Sequence, residues 1–409
     1  MKVLVNCYAC SPYQGSEPGM GWNFVSNLSH LHELHIMTEC KFKPDIDRYF
    51  EEHPEEASFY HFYYIKRTRW KLLRKIWPPS YYWTYAAWQR KALALAKDLE
   101  AKEHFDLVHQ LNMVGYRECG YLWQMGKPMV WGPMGNFNIT PWRMLPVMGL
   151  YGVVFYTCRN LINLWQMHFS LRVRKAVAAS DAIICAMQED KDALRRLFHK
   201  DAVVIPEVGL TERQESDEKP AERDSQDKLR ICWSGLHISR KALPLLLKAI
   251  SQMKHKDQVE LLVLGDGPFN NKWKRLSVAL GLKNVIWHGN LDRSEAYRVM
   301  KQSHLFAITS LSDATSTVLL EALSFGLPVI ATNHLGFAGV VTENCGMKVD
   351  LHSPKQVIAD YAQKIDFIVE NETFRQQLSA GAMRRARDFS WKKKTEMIDQ
   401  IYKDVVHQP

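Results

Sequence analysis

The sequence predicts an α/β protein with two domains, each built on a parallel β-sheet. Its length of 409 residues corresponds to two domains, or at most three, at roughly 100 to 200 residues per domain. Short apolar runs alternate with helix-like stretches along the chain, which is the pattern of strands joined by crossover helices. The runs are nearly all apolar, as expected for strands of a sheet that is covered on both faces.

The predicted strands fall into two series, one for each sheet. The first series lies within the first 205 residues, and the second begins at Ile231. From about Pro354 the sequence has helical periodicity, which predicts helices that close the C-terminal end of the structure. The predicted strands span residues 3–5, 35–37, 59–64, 107–108, 129–131, 182–185, 203–205, 231–233, 261–264, 285–287, 305–308 and 329–331.

A charged segment separates the two series. From Glu212 to Lys228, 11 of 17 residues are charged, and Ala221 is the only apolar side chain. Because such a composition cannot enter a core, we expect a solvated linker or an exposed insertion. The predicted organisation is therefore an N-terminal domain over residues 1–210, a linker over 211–228 and a C-terminal domain over 229–409.

Composition indicates a globular protein with an anionic partner. Apolar residues make up 46% of the chain, and the formal net charge is +9 at pH 7. This charge favours a nucleotide, an acidic lipid surface or a nucleic acid without choosing among them.

The eight cysteines are scattered, as expected for thiols in a reducing cytoplasm. Cys7 and Cys10 have C-x-x-C spacing, but a zinc site needs about four ligands and the sequence has no second such pair, so we predict no metal. Gly265-Asp266-Gly267 lacks the third glycine of a dinucleotide-binding fingerprint, so we predict no cofactor.

Two apolar segments bear on location. Lys2 is followed by only three apolar residues, far fewer than the about seven to fifteen of a secretory signal, so we expect the mature chain to begin here. The run from Met144 to Cys158 has 15 residues, whereas a spanning helix needs about 20. We therefore expect this run to be buried or interfacial.

The segment from Ser310 to Val329 predicts an anion-binding site. A strand ends near Ser310, a polar loop follows, and an amphipathic helix begins near residue 315 or 316. This places unpaired N–H groups and the positive end of the helix dipole at the carboxyl edge of a parallel sheet, where phosphate binds. Asp313 lies in the loop, and Glu321 lies about two turns inward, within reach of a polyol such as ribose. The alternative is that Asp313 caps the helix and that Glu321 is a solvated helix residue.

The same segment resembles the signature of glycosyltransferase family 4. An acidic residue, seven intervening residues, Glu-Ala and then Gly-x-Pro-Val occur here as Asp313, Glu321-Ala322 and Gly326 to Val329. The resemblance implies a retaining enzyme with the GT-B fold, in which two Rossmann-like α/β domains face a central cleft. It also implies a bacterial branch that assembles surface polysaccharide or lipopolysaccharide. Further similar motifs follow in the family's order at Gly15–Trp22, Trp131–Gly135, Ser234–Lys241, Leu264–Pro268 and 284–289.

The resemblance assigns residues to the diphosphate and the sugar of the donor. It implies that Lys241 neutralises the diphosphate leaving group. The family's arginine, five residues earlier, is Leu236 here, and we hypothesise that Arg240 replaces it. Asp313 occupies a position where the family usually has Glu, and it is implied to contact hydroxyls of the donor sugar.

Other assignments concern the nucleotide. The resemblance implies that Glu321 binds the ribose and that the backbone N–H groups of Thr317 and Val318 hold phosphate. It also implies that Gly15 closes over the donor from the N-terminal domain.

His109 is a further candidate, because it ends a predicted strand. The family often has a His two residues later, where this sequence has Leu111. Two interpretations of His109 therefore stay open: it polarises the donor sugar, or it is a satisfied, half-buried histidine.

The segment Lys66–Trp77 predicts a basic amphipathic helix. Its first ten residues include six basic side chains and no acidic one, and Trp70, Leu73 and Trp77 recur at helical spacing. Such helices dock on anionic membrane surfaces. The alternative is a helix whose aromatic stripe packs on its own domain. Nucleic acid is disfavoured as a partner, because no binding fold for it is recognisable.

The sequence as a whole predicts a cytoplasmic hexosyltransferase, peripheral to the inner face of the cell membrane. It would move a sugar from a nucleotide-diphosphate sugar to a hydroxyl of a glycan or lipid-linked acceptor, by electrostatic stabilisation without a metal. A nucleotide-sugar epimerase or a sugar phosphorylase of the same fold is one alternative. A membrane-associated protein that binds sugar nucleotides without catalysis is another. The sequence specifies neither the sugar, nor the base, nor the acceptor.

Overall fold

The computed structural model describes residues 1–68, 80–211, 220–224 and 227–407. The chain forms two compact units, each with its own parallel sheet, as the sequence predicted. The first unit comprises Met1–Asn138, Trp165–Glu207 and Trp391–Pro409. The second comprises Ile139–Leu164 and Val208–Ser390.

The first unit contains a seven-stranded sheet in the order β3-β2-β1-β4-β5-β6-β7. Every neighbouring pair is parallel, and Val3 on the interior strand β1 lies opposite both Leu34 and Leu107. These three side chains are fully buried, because helices cover both faces of a sheet of this kind. The strands are β1 (Lys2–Cys7), β2 (Glu33–Glu39), β3 (Tyr60–Ile65), β4 (Leu107–Asn112), β5 (Met129–Met134), β6 (Ala182–Cys185) and β7 (Val203–Val204).

Helices of this unit pack closely on the sheet. At Gly21 a Cβ atom would lie 2.7 Å from the sulfur of Cys7, so only glycine allows this approach of the first helix to the strand. Phe24 of the same helix meets Trp391 edge to face, with ring centroids 4.9 Å apart. The helices of this unit are α1 (Ser16–Leu28), α2 (Lys43–Glu52), α3 (Ser80–Glu103), α5 (Leu171–Ala179), α6 (Gln188–Phe198) and α14 (Trp391–Val406), while α4 (Gly149–Phe169) begins in the second unit and ends in the first.

The second unit contains a six-stranded parallel sheet in the order β10-β9-β8-β11-β12-β13. Its last strand is an edge strand that the sequence did not predict, because Lys348 interrupts the apolar run and the middle of the strand is only half-buried. The strands are β8 (Leu229–Ser234), β9 (Val259–Leu264), β10 (Val285–Gly289), β11 (Leu305–Ile308), β12 (Val329–Thr332) and β13 (Gly346–Val349).

The predicted helical run near the C-terminus is confirmed. It begins with a capping box, in which the Ser353 side chain accepts a hydrogen bond from the Gln356 N–H and Gln356 reaches back to the cap. Tyr361 is fully buried and donates its hydroxyl to the carbonyl of Ile308, which ties the run to the sheet. The helices of this unit are α7 (Leu243–Gln252), α8 (Asn270–Ala279), α9 (Arg293–Lys301), α10 (Thr317–Ser324), α11 (Leu335–Val340), α12 (Pro354–Glu370) and α13 (Glu372–Ala386).

Two segments belong to a different unit from the one that a division at 1–210 and 229–409 implies. Ile139–Leu164 is part of the second unit, because Met144, Met148 and Tyr156 enter the hydrophobic core beside strand β8. Trp391–Pro409 is part of the first unit, where helix α14 packs against helix α1.

The described part of the predicted linker is exposed at Glu222, Asp224, Asp227 and Lys228, and it departs from the prediction at Arg223. Arg223 is only 9% exposed, and it donates hydrogen bonds to the carbonyls of Asp227 at 3.1 Å and Val369 at 3.4 Å. Arg375 donates to the carbonyl of Ala221 at 3.4 Å. Arginines therefore fasten this charged stretch to the second unit. Residues 212–219 and 225–226 of the predicted linker lie outside the described residues.

The predicted basic helix at 66–77 lies mostly outside the described residues, which stop at 68 and resume at 80. Lys66, Arg67 and Thr68 are described and are not helical. Arg67 is anchored in its own unit, since it donates to the Tyr8 hydroxyl at 2.5 Å and to the Tyr81 carbonyl at 3.0 Å. It is thus committed to contacts within the protein.

The apolar run predicted at Met144–Cys158 is longer in the structure. Among the described residues, one helical stretch, Trp142–Phe169, is long and apolar enough to cross a membrane by length and composition. Its most apolar window of 18 residues has a mean hydropathy of 1.2, and only 22% of that window is buried. Most residues of this window are therefore at least partly exposed.

Candidate functional site

The predicted strand, loop and helix around Asp313 form at the carboxyl edge of the second sheet. Strand β11 ends at Ile308, and helix α10 begins at Thr317 with Ser316 as its N-cap. Within the described part of the chain, the Ser316 side chain makes no capping hydrogen bond. The N–H groups of Thr317 and Val318 therefore lie at the positive end of the helix without a side-chain cap from Ser316.

Asp313 holds two cations. Its carboxylate contacts the guanidinium of Arg240, and its Oδ2 lies 2.6 Å from Nζ of Lys241. Ser310 donates its hydroxyl to the same Oδ2 at 2.7 Å, and Arg240 also donates to the carbonyl of Ser312 at 2.7 Å. The alternative that Asp313 merely caps helix α10 is excluded, because the cap is Ser316.

Burial shapes the electrostatics of this cluster. The side chains of Lys241 and Asp313 are each 15% exposed. Burial, reinforced by the neighbouring Arg240, lowers the pKa of Lys241 to about 8, while the carboxylate of Asp313 favours the charged ammonium. Burial also lowers the pKa of Arg240, although a guanidinium stays charged at neutral pH. The result is a compact, partly desolvated positive site with one internal carboxylate.

Backbone contacts bring the motif at Ser234–Lys241 to this loop. Leu311 donates its N–H to the carbonyl of Arg240 at 2.8 Å, and Thr309 donates its hydroxyl to the carbonyl of Lys241 at 2.7 Å. These bonds fix the two basic residues beside Asp313. Motifs about 70 residues apart in the sequence therefore meet in one site, as the resemblance implied.

The glycine-containing motif at Leu264–Pro268 supports the same loop from the other side. Gly235 donates to the carbonyl of Leu264 at 3.1 Å, and His237 donates to that of Asp266 at 2.9 Å. Gly265 has φ of +110°, and a Cβ there would lie 2.9 Å from the carbonyl carbon of Gly235. This motif therefore positions the basic loop through backbone packing. Leu236, at the position of the family's arginine, is 62% exposed.

Glu321 is a buried residue in a network and not a solvated helix residue. It is 8% exposed, and its Oε1 accepts hydrogen bonds from the Tyr297 hydroxyl at 2.6 Å and from Arg293 Nη2 at 3.1 Å. Both donors come from helix α9, which orients the carboxylate. The assignment of Glu321 to a ribose stays a prediction.

Arg159 joins this site, and the sequence analysis missed it. Its Nη1 donates to the Ser312 hydroxyl at 3.3 Å, and its charge contributes to lowering the pKa of Arg240. It lies on helix α4, in the segment that the sequence placed in the other domain. The sequence did contain a signal for this role, because Arg159 is a single cation at the end of an apolar run. A charged side chain in such a setting needs a specific partner when it is buried.

The first unit contains the other two predicted site residues. Gly15 is the exposed N-cap of helix α1, and a Cβ built there meets none of the described atoms within 4 Å. Packing within the described chain therefore does not require glycine at this position. The implied role of Gly15 over the donor stays a prediction.

His109 is fully buried, and both of its ring nitrogens have partners. Nε2 lies 2.6 Å from the carbonyl of Gly132 and must donate to it, so Nδ1 accepts from the Tyr402 hydroxyl at 2.5 Å. Burial lowers the pKa of His109 to about 4, which keeps the ring neutral. This geometry favours the satisfied core histidine over a group that polarises a sugar, and the ring is more deeply buried than that alternative supposed.

Metal-ligating side chains cluster elsewhere. Among the described residues, two groups bring three ligand atoms within 4.8 Å of one another, namely Glu33 with His35 and His61, and His53 with Glu55 and Glu56. All eight cysteines are described and are free thiols. Cys7 is buried, and burial raises the pKa of its thiol. Neither group of ligands includes Cys7, Cys10 or any residue of the cluster around Asp313.

Comparison with known families tests the resemblance. Residues 214–385 match the family of glycosyl transferases group 1. This segment is less than half of the chain, and it contains Arg240, Lys241, Asp313 and Glu321. The match supports the coarse prediction of a glycosyltransferase, while the finer assignments to family 4 and to surface polysaccharides stay predictions.

A curated relative is the D-inositol 3-phosphate glycosyltransferase of Corynebacterium kroppenstedtii. It is 24% identical over 257 residues, which cover 58% of this chain and 56% of that protein. The chain thus spans little more than half the length of this relative.

Solved structures are similar over nearly the whole chain. The lipopolysaccharide outer core galactosyltransferase WaaB has a TM-score of 0.69 at 13% identity and covers 99% of this chain and 100% of its own. Anabaena HepE, in complex with UDP and glucose, has a TM-score of 0.63 at 15% identity with the same coverage. At such identity the likeness concerns the fold alone, and it confirms the predicted fold class of two parallel α/β domains of the GT-B type.

Proposed function

We propose that this protein is a glycosyltransferase that takes a sugar from a nucleotide-diphosphate sugar. The observation that carries the proposal is the cluster of Arg240 and Lys241 on Asp313 beside the start of helix α10. Cations and a helix N-terminus in one place suit a diphosphate. The family match over this segment and the UDP bound by Anabaena HepE support the same ligand class.

The proposed chemistry is stabilisation of a departing diphosphate. As the bond between the anomeric carbon and the phosphate oxygen breaks, negative charge develops on that oxygen. Lys241, Arg240 and Arg159 lie close enough together to neutralise it, and the N–H groups of Thr317 and Val318 add to the field. Protein cations then do what a metal does in other transferases, so we propose no metal and no cofactor.

Asp313 has two roles in this proposal. Its carboxylate orients the ammonium of Lys241 and the guanidinium of Arg240, as their contacts indicate. It also offers acceptor oxygens to hydroxyls of the donor sugar. Glu321, oriented by Tyr297, would accept hydrogen bonds from the ribose. Retention of the anomeric configuration is proposed from the resemblance to family 4.

We propose a glycan or lipid-linked hydroxyl as acceptor, with Gly15 closing over the donor from the first unit. The setting is the cytoplasm at the inner face of the cell membrane, in the assembly of a surface glycan. The net charge of +9 supports an anionic membrane as a partner, and no nucleic acid is proposed. The curated relative is named for an inositol phosphate acceptor, so a soluble phosphorylated polyol is the competing acceptor class.

The experiment is a panel of UDP-, GDP- and ADP-sugars tested for binding and slow hydrolysis. Lys241→Ala should abolish turnover of the preferred donor, and Glu321→Ala should weaken its binding. Lys248→Ala is the matched control, because Lys248 is an exposed lysine on helix α7. Failure of the folded wild type to bind any donor would contradict the proposal.

Product analysis separates the alternatives of the same fold. An epimerase changes the donor without any acceptor, and a phosphorylase requires inorganic phosphate. Release of nucleotide from one donor that is stimulated by an added acceptor, with the sugar recovered on that acceptor, would exclude both and would also exclude a protein that only binds.

A further inference from the structure

Helix α4 turns its apolar side outward. The buried positions recur every three or four residues, at Gly152, Tyr156, Asn160, Asn163 and Met167, and define one face that includes two asparagines. A helix on a protein surface ordinarily buries its apolar face, so this arrangement is reversed. The exposed side chains on the other face are Leu150 (84%), Tyr151 (80%), Val154 (58%), Phe155 (48%), Leu161 (57%), Ile162 (55%), Trp165 (63%) and Phe169 (66%).

Contacts on the inner face fasten the helix to the protein. Asn160 accepts from the Thr140 N–H at 3.0 Å and donates to the Thr140 carbonyl at 2.8 Å. Arg159 reaches Ser312 at 3.3 Å, and Tyr156 belongs to the core of the second unit. Crossing a bilayer would break these contacts and place a charge and several amides in hydrocarbon. The helix is therefore suited to lie along a membrane surface, although its length and composition also fit a span.

The charge around the helix selects the kind of surface. No Asp or Glu occurs from Cys119 to Ser180, a stretch of 62 residues, although the whole chain has 44. The same stretch contains six lysines and arginines, of which Arg143, Arg174 and Lys175 are exposed near the two ends of the helix. Exposed cations near both ends of an apolar helix face complement anionic headgroups.

Aromatic residues stand where a membrane interface favours them. Trp142 is 43% exposed just before the helix, and Trp165 and Phe169 are exposed near its end. Amphipathic indole rings such as those of Trp142 and Trp165 partition to the headgroup level of a bilayer. Leu171, at the start of helix α5, is also 73% exposed.

We infer that the exposed face of helix α4 docks the protein on an anionic bilayer, lying in the headgroup plane. The occupant is a lipid surface and not a second copy, because the segment that carries this face has no acidic residue and its exposed cations would face one another in a symmetric dimer. This inference deepens the proposed function and rests on it for the acceptor, since a lipid-linked hydroxyl is presented at that surface. It adds a docking element distinct from residues 66–77.

The test is flotation of the full-length protein with lipid vesicles. Wild type should float with phosphatidylcholine vesicles that contain 30% phosphatidylglycerol, and less with phosphatidylcholine alone or in 0.5 M NaCl. The double variant Leu161→Glu with Ile162→Glu should lower the fraction of protein bound to vesicles at least about tenfold. Two aliphatic side chains that would enter the lipid are lost, and two negative charges face the anionic headgroups instead. Val154→Glu is an independent second variant on the same face.

Val278→Glu is the matched control, because Val278 is 77% exposed on helix α8 and should leave flotation unchanged. Circular dichroism confirms that each variant is folded. Unchanged flotation of both face variants, or equal loss in the control, would overturn the inference. Loss of self-association in the face variants without any flotation of wild type would also overturn it and would assign the face to a second copy.

Donor hydrolysis measured without vesicles tests the proposed function independently of the membrane-docking inference. The face variants should hydrolyse the preferred donor at the wild-type rate. Vesicle binding without hydrolysis would contradict the proposed function alone, whereas hydrolysis without vesicle binding would contradict the docking surface alone.

Discussion

We predict that the buried ammonium of Lys241 sets an upper pH limit on the use of the donor. Its pKa is lowered from 10.5 to about 8 by burial and by Arg240. The residue is therefore charged below that value and loses its charge as the pH rises through it. Asp313, 2.6 Å away, opposes the shift, because a neighbouring carboxylate favours the ammonium.

We expect kcat/KM for the donor to fall about tenfold from pH 7 to pH 9, since the charged fraction of a group with this pKa falls by that factor. Initial rates of nucleotide release at low donor concentration measure it. Lys241→Arg should remove the fall, because a guanidinium stays charged throughout. Asp313→Asn should begin the fall at lower pH.

Two results would refute this reasoning. The same fall in Lys241→Arg would assign the titration to another group. A flat wild-type profile up to pH 9.5 would show that the charge of Lys241 does not assist the reaction. Lys248→Arg, on an exposed lysine of helix α7, controls for surface charge and should follow wild type.

Three further substitutions probe the remaining contacts. Arg159→Ala should weaken donor binding about tenfold in calorimetric titration, since a hydrogen bond to a charged group contributes about 1.5 kcal/mol. Tyr297→Phe should weaken it about fivefold, because Glu321 loses a hydroxyl donor that contributes about 1 kcal/mol. Tyr402→Phe should lower the free energy of unfolding by about 1 to 3 kcal/mol, since His109 is left with an unsatisfied nitrogen, while kcat stays unchanged in initial-rate assays.

Each of these has its own contradicting result. Arg143→Ala is the control for Arg159, and an equal effect in both would remove any specific role of Arg159. Unchanged donor affinity in Tyr297→Phe would indicate that Glu321 does not contact the nucleotide. A loss of kcat in Tyr402→Phe without a loss of stability would restore a catalytic role for His109.

The strands followed from the sequence because a strand buried on both faces must be apolar. Every predicted strand appears in one of the two sheets. The edge strand β13 was not predicted, because only its ends are fully buried and Lys348 interrupts the apolar pattern.

Unit membership did not follow from the sequence, because hydrophobicity shows that a segment is buried but not which core accepts it. The apolar character of Met144 and Tyr156 predicted burial, but it did not indicate that they pack beside strand β8. Composition likewise predicted a solvated linker, yet Arg223 is buried and donates hydrogen bonds to two backbone carbonyls. Specific partners of this kind leave no local pattern in a sequence.

Sequence motifs singled out Lys241 and Asp313, which the structure brings into contact, while their roles toward a donor stay predictions. Their mutual ion pair was not foreseen, because each had been considered alone against the donor. Arg159 was missed because it lies outside any motif and reaches the site from a distant helix. One hydrogen-bond partner of His109 is Tyr402, 293 residues away in sequence, so no local signal existed for that contact.

The central claim is that the cations on Asp313 hold the diphosphate of a donor. The most direct measurement compares calorimetric affinities for a nucleoside, its monophosphate and its diphosphate in wild type and in Lys241→Ala. We predict that each phosphate tightens binding to wild type and that the gain from the second phosphate is largely lost in the variant, with nucleoside binding unchanged. An equal gain in both proteins would contradict the claim.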